Sequence, residues 1–416
     1  MRGFFSTAEV ISVDRPDGKT YSCASCGLYR NSCTPKMKAH GNFKKGILNI
    51  GTFPTKEEDE AGQPFISHEY RGLRQVYAQL GIDLEEDCLN VHSVHCIPLD
   101  DVGSPRRPSG YEISCCRRSI NRLIAKYQPK VIVLIGMDAV ESVVMGHWRG
   151  YHGKGITSWR GFTIPDRIYN AWVCPVFDID FIANQAGYPE TQKIWEQDIA
   201  KALSKLDKPL PPYSEEWDAV TVSEDPHTVL QTLLKTARRH AGKVYIAFDI
   251  ETTGLKPYCE GQQIACISFC MDENRAYCIP APTDPDDLKL LRRILTSPSI
   301  YKMAHNMKFE DTWLNVIDNI EVSPWEWDTM QAAHIIDNRS GISSLKMQSF
   351  LQFGLIGYEE EIKPYLSSPD SNTLNKVMDC MADQDLRLKL MKYCGIDSLM
   401  TYRLAMQQMR LMGAIE

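Results

Sequence analysis

Two carboxylates, Asp249 and Glu251, stand two residues apart at the end of an apolar run that begins at Val244. The run predicts a β-strand, and because strand side chains alternate between faces, both acids project from the same face. Two carboxylates that point at one spot repel each other unless a cation lies between them or one of them is protonated. The pair therefore predicts either a cation site or an acid and base working together.

Further acids follow on two predicted helices. The helix after Asn306 carries Glu310 and Asp311 in its first turn. A long helix near the C-terminus carries Tyr393 and Asp397, which are four residues apart and therefore share one helical face. These elements add two more carboxylate positions and a phenol to the pair on the strand.

Four carboxylates on separate elements suit a two-metal site. Mg²⁺ and Mn²⁺ prefer hard oxygen ligands, and two such ions held about 4 Å apart stabilise the attacking and leaving oxygens of phosphodiester hydrolysis. Each pattern alone is common in proteins and usually means solvated surface charge. The ordered set is specific, so the sequence predicts metal-dependent cleavage of phosphodiesters.

Thiols are the second set of reactive groups. Cys23 and Cys26 form a CxxC pair, and Cys96 and the adjacent Cys115 and Cys116 follow. Four thiolates fit a tetrahedral zinc ion or a [4Fe-4S] cluster, and the spacing does not separate these alternatives. The other nine cysteines are predicted to be core thiols: Cys33, Cys88, Cys174, Cys259, Cys266, Cys270, Cys278, Cys380 and Cys394.

The elements that must position these residues predict an α/β protein, because apolar strands such as 130–136 and 244–249 alternate with amphipathic helices. The length of 416 residues predicts two domains. Three prolines between residues 206 and 213 mark a linker at 206–216, which separates domains of 1–205 and 217–416.

Charge and hydropathy narrow the class of protein. The net charge of −7 gives no overall attraction to nucleic acid, but bound metal ions would neutralise several of the acids. No apolar run is long enough to cross a bilayer, and the N-terminal residues do not read as a secretory signal. We therefore expect a cytoplasmic protein with no membrane role.

The acidic motifs resemble those of a known family. Asp249-x-Glu251, Asn306-x-x-x-Glu310 and Tyr393-x-x-x-Asp397 are similar to the three motifs of the 3′-5′ proofreading exonuclease domain of family A DNA polymerases. The resemblance covers about 217–412. It implies an RNase H-like domain in which Asp249, Glu251 and Asp397 bind metal and Tyr393 orients the attacking water.

The same resemblance extends to other positions. The family has an aspartate where this chain has Glu310, so Glu310 is our expected fourth ligand and Asp311 the alternative. Asp328 is expected to be structural. The DNA-binding positions implied by the resemblance are Thr252, Leu255, Asn306 and Lys308.

The N-terminal half resembles the iron-sulfur (family four) uracil-DNA glycosylases over about residues 20–185. The matching motifs are Cys23-x-x-Cys26-x-Leu28, His40-Gly-Asn42, Gly51-x-x-Pro54, Glu58-Asp59-x-x-Gly62-x-Pro64-Phe65, Cys96-x-Pro98, Glu112-Ile-x-x-Cys116 and 129–139. The resemblance implies a parallel sheet between helices and a [4Fe-4S] cluster bound by Cys23, Cys26, Cys96 and Cys116. Because the spacing from Cys96 to Cys116 is a few residues longer than in the family, Cys115 stays an alternative to Cys116.

Three positions that carry catalysis in that family differ in this chain. Thr52, His92 and Asp178 stand where the family has its water-activating group, an asparagine and a histidine. Thr52 is a poor activator of water, so we expect no ordinary uracil excision. Phe65 keeps the place of the aromatic residue that stacks on a flipped base, and it is a predicted DNA contact.

These observations predict a two-metal 3′-5′ DNA exonuclease that proofreads with a family A-type polymerase in a phage-type replication system. The protein would then act in the cytoplasm of the host cell. The polymerase would be a separate protein, or the chain would be a fragment of a longer polymerase. The alternatives are a glycosylase for uracil or a modified base coupled to an exonuclease in repair, a non-catalytic binding module, and an RNA exonuclease.

Overall fold

The computed structural model describes residues 21–148, 155–185, 187–212, 215–240 and 242–416. The chain forms two compact units: one runs to Pro211 and includes Phe350–Gly354, and the other comprises Pro212–Ser349 and Leu355–Glu416. The N-terminal segment, for which we predict no secretory signal, lies outside the described residues. So do residues 213 and 214 of the predicted linker, and the domain boundaries stay a prediction.

The first unit contains a five-stranded sheet in the order β2-β1-β3-β5-β4. Neighbouring strands run parallel except for β4, which is antiparallel to β5. The strands are β1 (Ile47–Gly51), β2 (Cys88–His92), β3 (Val131–Ile135), β4 (Ile164–Asp166) and β5 (Ala171–Val176).

Helices connect these strands. They are α1 (Cys23–Cys26), α2 (Lys56–Ala61), α3 (Arg71–Gln79), α4 (Gly110–Tyr127), α5 (Met137–His147), α6 (Ile179–Asn184) and α7 (Pro189–Leu203), with short 3-10 helices at Leu28–Arg30, His68–Tyr70 and Ile156–Ser158. Strands β1 and β3 are buried along their whole length, as expected for parallel strands covered on both faces. The carboxyl ends of β1, β2, β3 and β5 therefore meet at one edge, where open parallel sheets usually bind ligands.

The second unit contains a six-stranded mixed sheet in the order β11-β10-β7-β8-β9-β6. Strand β7 is parallel to β10 and antiparallel to β8, which is antiparallel to β9. The strands are β6 (Val220–Val222), β7 (Val244–Thr252), β8 (Ile264–Asp272), β9 (Arg275–Pro280), β10 (Ile300–Ala304) and β11 (Trp325–Asp328).

The helices that follow Pro212 are α8 (Glu216–Ala219), α9 (Pro226–Arg239), α10 (Pro285–Leu295), α11 (Met307–Asp318), α12 (Thr329–Ile336), α13 (Leu345–Phe353), α14 (Lys363–Leu366), α15 (Val377–Ala382) and α16 (Gln384–Leu411). All belong to the second unit except the end of α13 from Phe350. Helix α16 packs against β7, β8 and β9. On β7, Ile246, Phe248 and Ile250 enter the hydrophobic core, so the alternate residues Asp249 and Glu251 take the other face.

Asp328 joins two helix starts. Its carboxylate accepts the backbone N–H groups of Asn306 and Met307 at 3.2 and 3.0 Å, and those of Met330 and Gln331 at 2.9 and 3.2 Å. A carboxylate at a helix N-terminus satisfies free amides and complements the helix dipole. Asp328 is thus engaged in holding α11 and α12 in place, the structural role expected from the sequence.

Among the described helices, none is both long enough and apolar enough to span a membrane.

Candidate functional site

Strand β7 and helix α16 bring the predicted catalytic acids together. One carboxylate oxygen of Asp249, one of Glu251 and the sulfur of Cys394 all lie within 4.8 Å of one another. Cys394 also fixes the helix to the sheet, because its carbonyl accepts the Ser268 hydroxyl at 2.8 Å and its thiol donates to the Asp249 carbonyl at 3.5 Å. One turn further on, Asp397 lies on the same side of α16.

The acids perturb one another strongly. Burial raises the pKa of Asp249 well above its usual value, and the negative charges of Asp397, Glu251 and Glu310 raise it further. Burial and the charge of Asp397 raise the pKa of Glu251 to about 8. Carboxyl groups with raised pKa values, close together and partly buried, mark a place where a cation would be strongly favoured.

Glu310 and Asp311 have different surroundings. Glu310 is 3% exposed, and one of its carboxylate oxygens has no hydrogen-bond partner. Burial raises the pKa of Glu310 well above the usual value, and the charges of Asp328 and Glu251 add to this. The Asp311 carboxylate instead accepts N–H groups from Val322 at 3.3 Å and Trp325 at 3.4 Å. Both of these hydrogen bonds engage one oxygen of Asp311, whereas the free oxygen of Glu310 is buried and without a partner among the described residues, which favours Glu310 as the ligand.

Sequence reasoning missed two residues at this site. The ammonium of Lys346, on α13, lies 2.5 and 2.6 Å from the carboxylate oxygens of Asp397, and the Tyr358 hydroxyl donates to the same carboxylate at 2.6 Å. The ammonium also lies 4.0 Å from the centre of the Tyr393 ring. A single lysine between the buried Leu345 and Met347 was the signal in the sequence, because a charge among core residues usually has a partner.

The donor set fits divalent metal ions. Asp249, Glu251, Glu310 and Asp397 offer hard oxygen ligands from one strand and two helices, which is the chemistry that Mg²⁺ and Mn²⁺ prefer. The partnerless oxygen of Glu310 needs a ligand, since a buried carboxylate oxygen without one is unfavourable.

The predicted DNA-binding positions vary in exposure. Leu255 is 62% exposed, and the nearby Tyr258, which the sequence analysis did not single out, is 74% exposed. Lys308 is exposed, whereas Thr252 is buried with its hydroxyl donating to the Gly254 carbonyl at 2.8 Å. Exposed aromatic and apolar side chains beside a nuclease site offer stacking surfaces for bases.

In the first unit the predicted cluster cysteines are neighbours. Burial raises the pKa of Cys116 to about 12, and the charges of Cys26, Cys96 and Cys23 contribute. The sulfur of Cys96 accepts the backbone N–H of Lys36 at 3.2 Å. Cys115 is close to Cys26, but Cys116 interacts with three of the other cysteines.

The donor set of four thiols fits either metal group. Zinc takes four thiolates in a tetrahedron with bonds of about 2.3 Å. A [4Fe-4S] cluster also takes four thiolates, each bound to a different iron.

The three altered glycosylase positions lie at the carboxyl edge of the first sheet. Thr52 directly follows β1, His92 ends β2, and Asp178 follows β5 as the N-cap of α6. His92 contacts the carboxylate of Glu58 at 3.1 Å, and both side chains are almost fully buried. Burial alone would raise the pKa of Glu58, but the charge and hydrogen bond of His92 lower it below the usual value. This pairing resembles a structural ion pair.

Two acids at this edge, Asp138 and Asp178, have raised pKa values. Burial raises the pKa of Asp138, at the start of α5, to about 6, and one of its oxygens has no partner. Burial and the charge of Asp180 raise the pKa of Asp178 to about 6. Phe65, the predicted base-stacking residue, is fully buried against Tyr70.

Two protein families match the chain. Residues 226–412 match the family described as 3′-5′ exonuclease. Residues 39–235 match the uracil DNA glycosylase superfamily. With the acids on β7, α11 and α16, the C-terminal domain is a 3′-5′ exonuclease domain, so the chain is of the nuclease class.

The N-terminal half is similar to type-4 uracil-DNA glycosylases. The protein of Thermotoga maritima is 29% identical over 45% of this chain and 90% of its own length. That of Saccharolobus solfataricus is 30% identical over 44% of this chain and 82% of its own length. Through this domain the chain belongs to the uracil DNA glycosylase superfamily, with type-4 enzymes as its relatives.

Several solved structures are also similar to part of the chain. Brucella melitensis NrnC is 19% identical over 41% of this chain and 75% of its own, with a TM-score of 0.31. The catalytic core of RRP6 from Trypanosoma brucei is 14% identical over 49% of this chain and 50% of its own, with a TM-score of 0.35. The Nibbler EXO domain of Aedes aegypti is 12% identical over 49% of this chain and 93% of its own, with a TM-score of 0.34.

Proposed function

We propose that the chain is a two-metal-dependent 3′-5′ DNA exonuclease that proofreads with a family A-type polymerase. The glycosylase-like domain would hold DNA or a partner protein without excising uracil. The observation that carries the proposal is the approach of the partly buried carboxylates of Asp249 and Glu251, which offer oxygens within 4.8 Å of each other, with the charges of Asp397 and Glu310 acting on Asp249.

In this proposal Asp249, Glu251, Asp397 and Glu310 hold the two ions. The bound ions would supply Lewis-acid stabilisation of the attacking and leaving oxygens. Tyr393 orients the attacking water through its hydroxyl group. Burial and the charges of Asp397 and Glu251 raise the pKa of Tyr393 well above its usual value, so the phenol stays protonated and can donate a hydrogen bond at neutral pH.

Lys346 acts as a positioning residue. Its ammonium holds both oxygens of Asp397 and lies against the Tyr393 ring, so one cation fixes a metal ligand and the water-orienting phenol together. Such preorganisation lowers the reorganisation needed when charge develops in the transition state.

DNA would reach the site as a single-stranded or frayed 3′ end. Leu255 and Tyr258 are exposed on the loop after β7, which also carries Asp249 and Glu251, and could pack against the terminal bases. Lys308, exposed in the first turn of α11, is placed to contact a phosphate.

A [4Fe-4S] cluster on Cys23, Cys26, Cys96 and Cys116 would stabilise the N-terminal domain. The similarity to type-4 uracil-DNA glycosylases supports the cluster. The hydrogen bond from the Lys36 N–H to the Cys96 sulfur is of the kind that stabilises a sulfur bound to a metal. Leu28, Val94 and Ile113 pack with Cys96 and Cys116, which would exclude solvent from the cluster.

The proofreading role has a direct test. The wild-type chain would be incubated with Mg²⁺ and primer-templates whose 3′ terminus is either matched or mismatched, and with RNA of the same sequence. We expect faster shortening of the mismatched primer than of the matched one, and little shortening of RNA. Equal rates on both primers would contradict proofreading, and preferred RNA shortening would make the chain an RNA exonuclease.

One observation favours a second function, a glycosylase acting on an altered base. Asp138 and Asp178 both have a pKa raised to about 6, close to the value that suits general acid-base catalysis near neutral pH. Release of free base from uracil-containing or modified oligonucleotides would support this alternative. No release while the exonuclease is active would leave the domain as a binding module.

A further inference from the structure

The rings of Phe65 and Tyr70 form a stack at the carboxyl edge of the first sheet. Their centroids are 4.1 Å apart and their planes differ by 15°. A Cβ atom on Gly51, the last residue of β1, would lie 2.9 Å from the Tyr70 hydroxyl and 3.0 Å from Phe65. Both rings therefore press on the end of the strand, which leaves no room there for a larger residue.

Phe65 is held firmly in an unusual backbone conformation. Its φ angle of 64° is in the left-handed region, which bulky residues rarely adopt. Glu58 accepts its N–H and Arg74 donates to its carbonyl, so contacts on both sides fix the conformation. Strain of this kind persists where surrounding structure enforces it, and it often marks a functional position.

Tyr70 covers the face of Phe65. It ends the short helix His68–Tyr70 and is only 5% exposed. A flat ring 4 Å above an aromatic side chain and nearly parallel to it has the geometry of a nucleobase on a stacking platform. In this domain the chain's own phenol takes the position that a flipped base would need.

The Tyr70 hydroxyl lies at the end of β1, where a Cβ on Gly51 would be 2.9 Å from it. The next residue, Thr52, lies with the Asp178 carboxylate around Gly136, at 2.8 and 3.2 Å from the position of a Cβ there. Burial raises the pKa of Tyr70 well above its usual value, and the negative charges of Glu58, Asp178, Asp180 and Glu69 raise it further. The phenol therefore stays protonated near these carboxylates. His92 stands edge-on to the ring, with centroids 6.1 Å apart, and its Nδ1 has no partner.

We propose that Tyr70 occupies the base position of the glycosylase-like domain, and that the space its ring fills suits a flat ring with an amino group at its edge, such as cytosine, rather than uracil. Carboxylates accept hydrogen bonds from the cytosine amino group, whereas they repel the carbonyl oxygens of uracil. With Tyr70 in place, the domain can bind DNA only without taking a base out of the stack. The inference is independent of the exonuclease activity.

The test uses the full-length chain with Tyr70→Ala, and with Tyr70→Val in case the alanine variant does not fold. Binding of free cytosine and uracil at pH 7.5 is measured by calorimetry and by the shift in melting temperature, since a ligand that binds only the folded state raises it. Tyr70→Phe is the matched control, because it keeps the ring.

We expect cytosine to bind Tyr70→Ala or Tyr70→Val at least tenfold more tightly than uracil, and neither base to bind the wild type or Tyr70→Phe. Base binding to the wild type as strong as to the small variants would overturn the assignment of Tyr70 as the blocking residue. No binding to either small variant would show that the vacated space is not a base site. Tighter binding of uracil than of cytosine would overturn the proposal that this space suits a ring with an amino group at its edge.

Discussion

The ammonium of Lys346 contacts both carboxylate oxygens of Asp397, at 2.5 and 2.6 Å. The two residues come from α13 and α16, so this ion pair connects α13 to the helix that carries Asp397 and Tyr393. The side chain of Asp397 is 7% exposed and that of Lys346 is 25% exposed. The pair therefore lies largely out of solvent, where removing one partner leaves an unfavourable charge.

Replacing Lys346 tests this relationship. We expect Lys346→Met to lower the stability of the protein in EDTA by about 2 kcal/mol, because Asp397 loses its partner. Added Mn²⁺ should then raise the melting temperature more than in the wild type, since the ion supplies the missing positive charge. Thermal unfolding with and without Mn²⁺ measures both effects.

Lys289 provides the matched control for this experiment. It pairs with Asp286 at 2.7 Å, but both side chains are more than 70% exposed. Lys289→Met should therefore change stability little. An unchanged melting temperature of Lys346→Met in EDTA would contradict the importance of the Lys346–Asp397 pair.

Glu310 and Asp311 are distinguished by a pair of neighbouring substitutions. Glu310→Gln should lower exonuclease activity by roughly 100-fold or more and weaken Mn²⁺ binding, because the amide is a poor metal ligand. Asp311→Asn should keep most activity and lower only the melting temperature, since its carboxylate accepts N–H groups from Val322 and Trp325. The opposite pattern would make Asp311 the ligand.

Lys302 gives a prediction about pH. It is fully buried on β10, and burial lowers its pKa to about 7, with its ammonium donating to the Ser297 and Ile300 carbonyls. The unfolded chain binds this proton up to about pH 10.5, so unfolding takes up a proton between about pH 7 and 10. This residue therefore makes stability rise with pH in that window, by about 1 kcal/mol per unit.

Denaturant unfolding at several pH values, with Lys302→Met as the comparison, measures this contribution. The difference in stability between Lys302→Met and the wild type should be largest at pH 7 and shrink towards pH 10. If the stability difference between Lys302→Met and the wild type did not vary with pH, Lys302 would have the same pKa in the folded and unfolded protein, which would contradict the prediction.

The cluster ligands are tested by absorbance after anaerobic purification. We expect a brown protein with broad visible absorbance that Cys116→Ala loses and Cys115→Ala keeps, because Cys116 interacts with three of the other cysteines. Cys33→Ala, which removes an exposed thiol, is the control. A colourless protein that contains zinc would contradict the cluster.

Local spacing was sufficient to predict much of the exonuclease site. The alternation of strand residues puts Asp249 and Glu251 on one face of the strand. The helical repeat puts Tyr393 and Asp397 on one face of the helix. Both placements follow from secondary structure alone. The α/β class followed from the same periodicities and is confirmed by both sheets.

Other features depend on contacts that spacing does not encode. Lys346 meets Asp397 across 51 residues of sequence, and only the tertiary fold brings them together. Tyr70 is five residues from Phe65, but their stacking requires the left-handed turn at Phe65, and no residue preference predicts that turn in an aromatic side chain.

The measurement that tests the central claim most directly is the shortening of 5′-labelled single-stranded DNA by the purified chain in Mg²⁺ or Mn²⁺. The wild type is compared with Asp249→Ala/Glu251→Ala, and EDTA is the metal-free control. We predict a ladder of products shortened from the 3′ end that is absent in EDTA and absent in the double variant. No ladder with either metal, or an equal ladder from the double variant, would contradict a metal-dependent exonuclease centred on these acids.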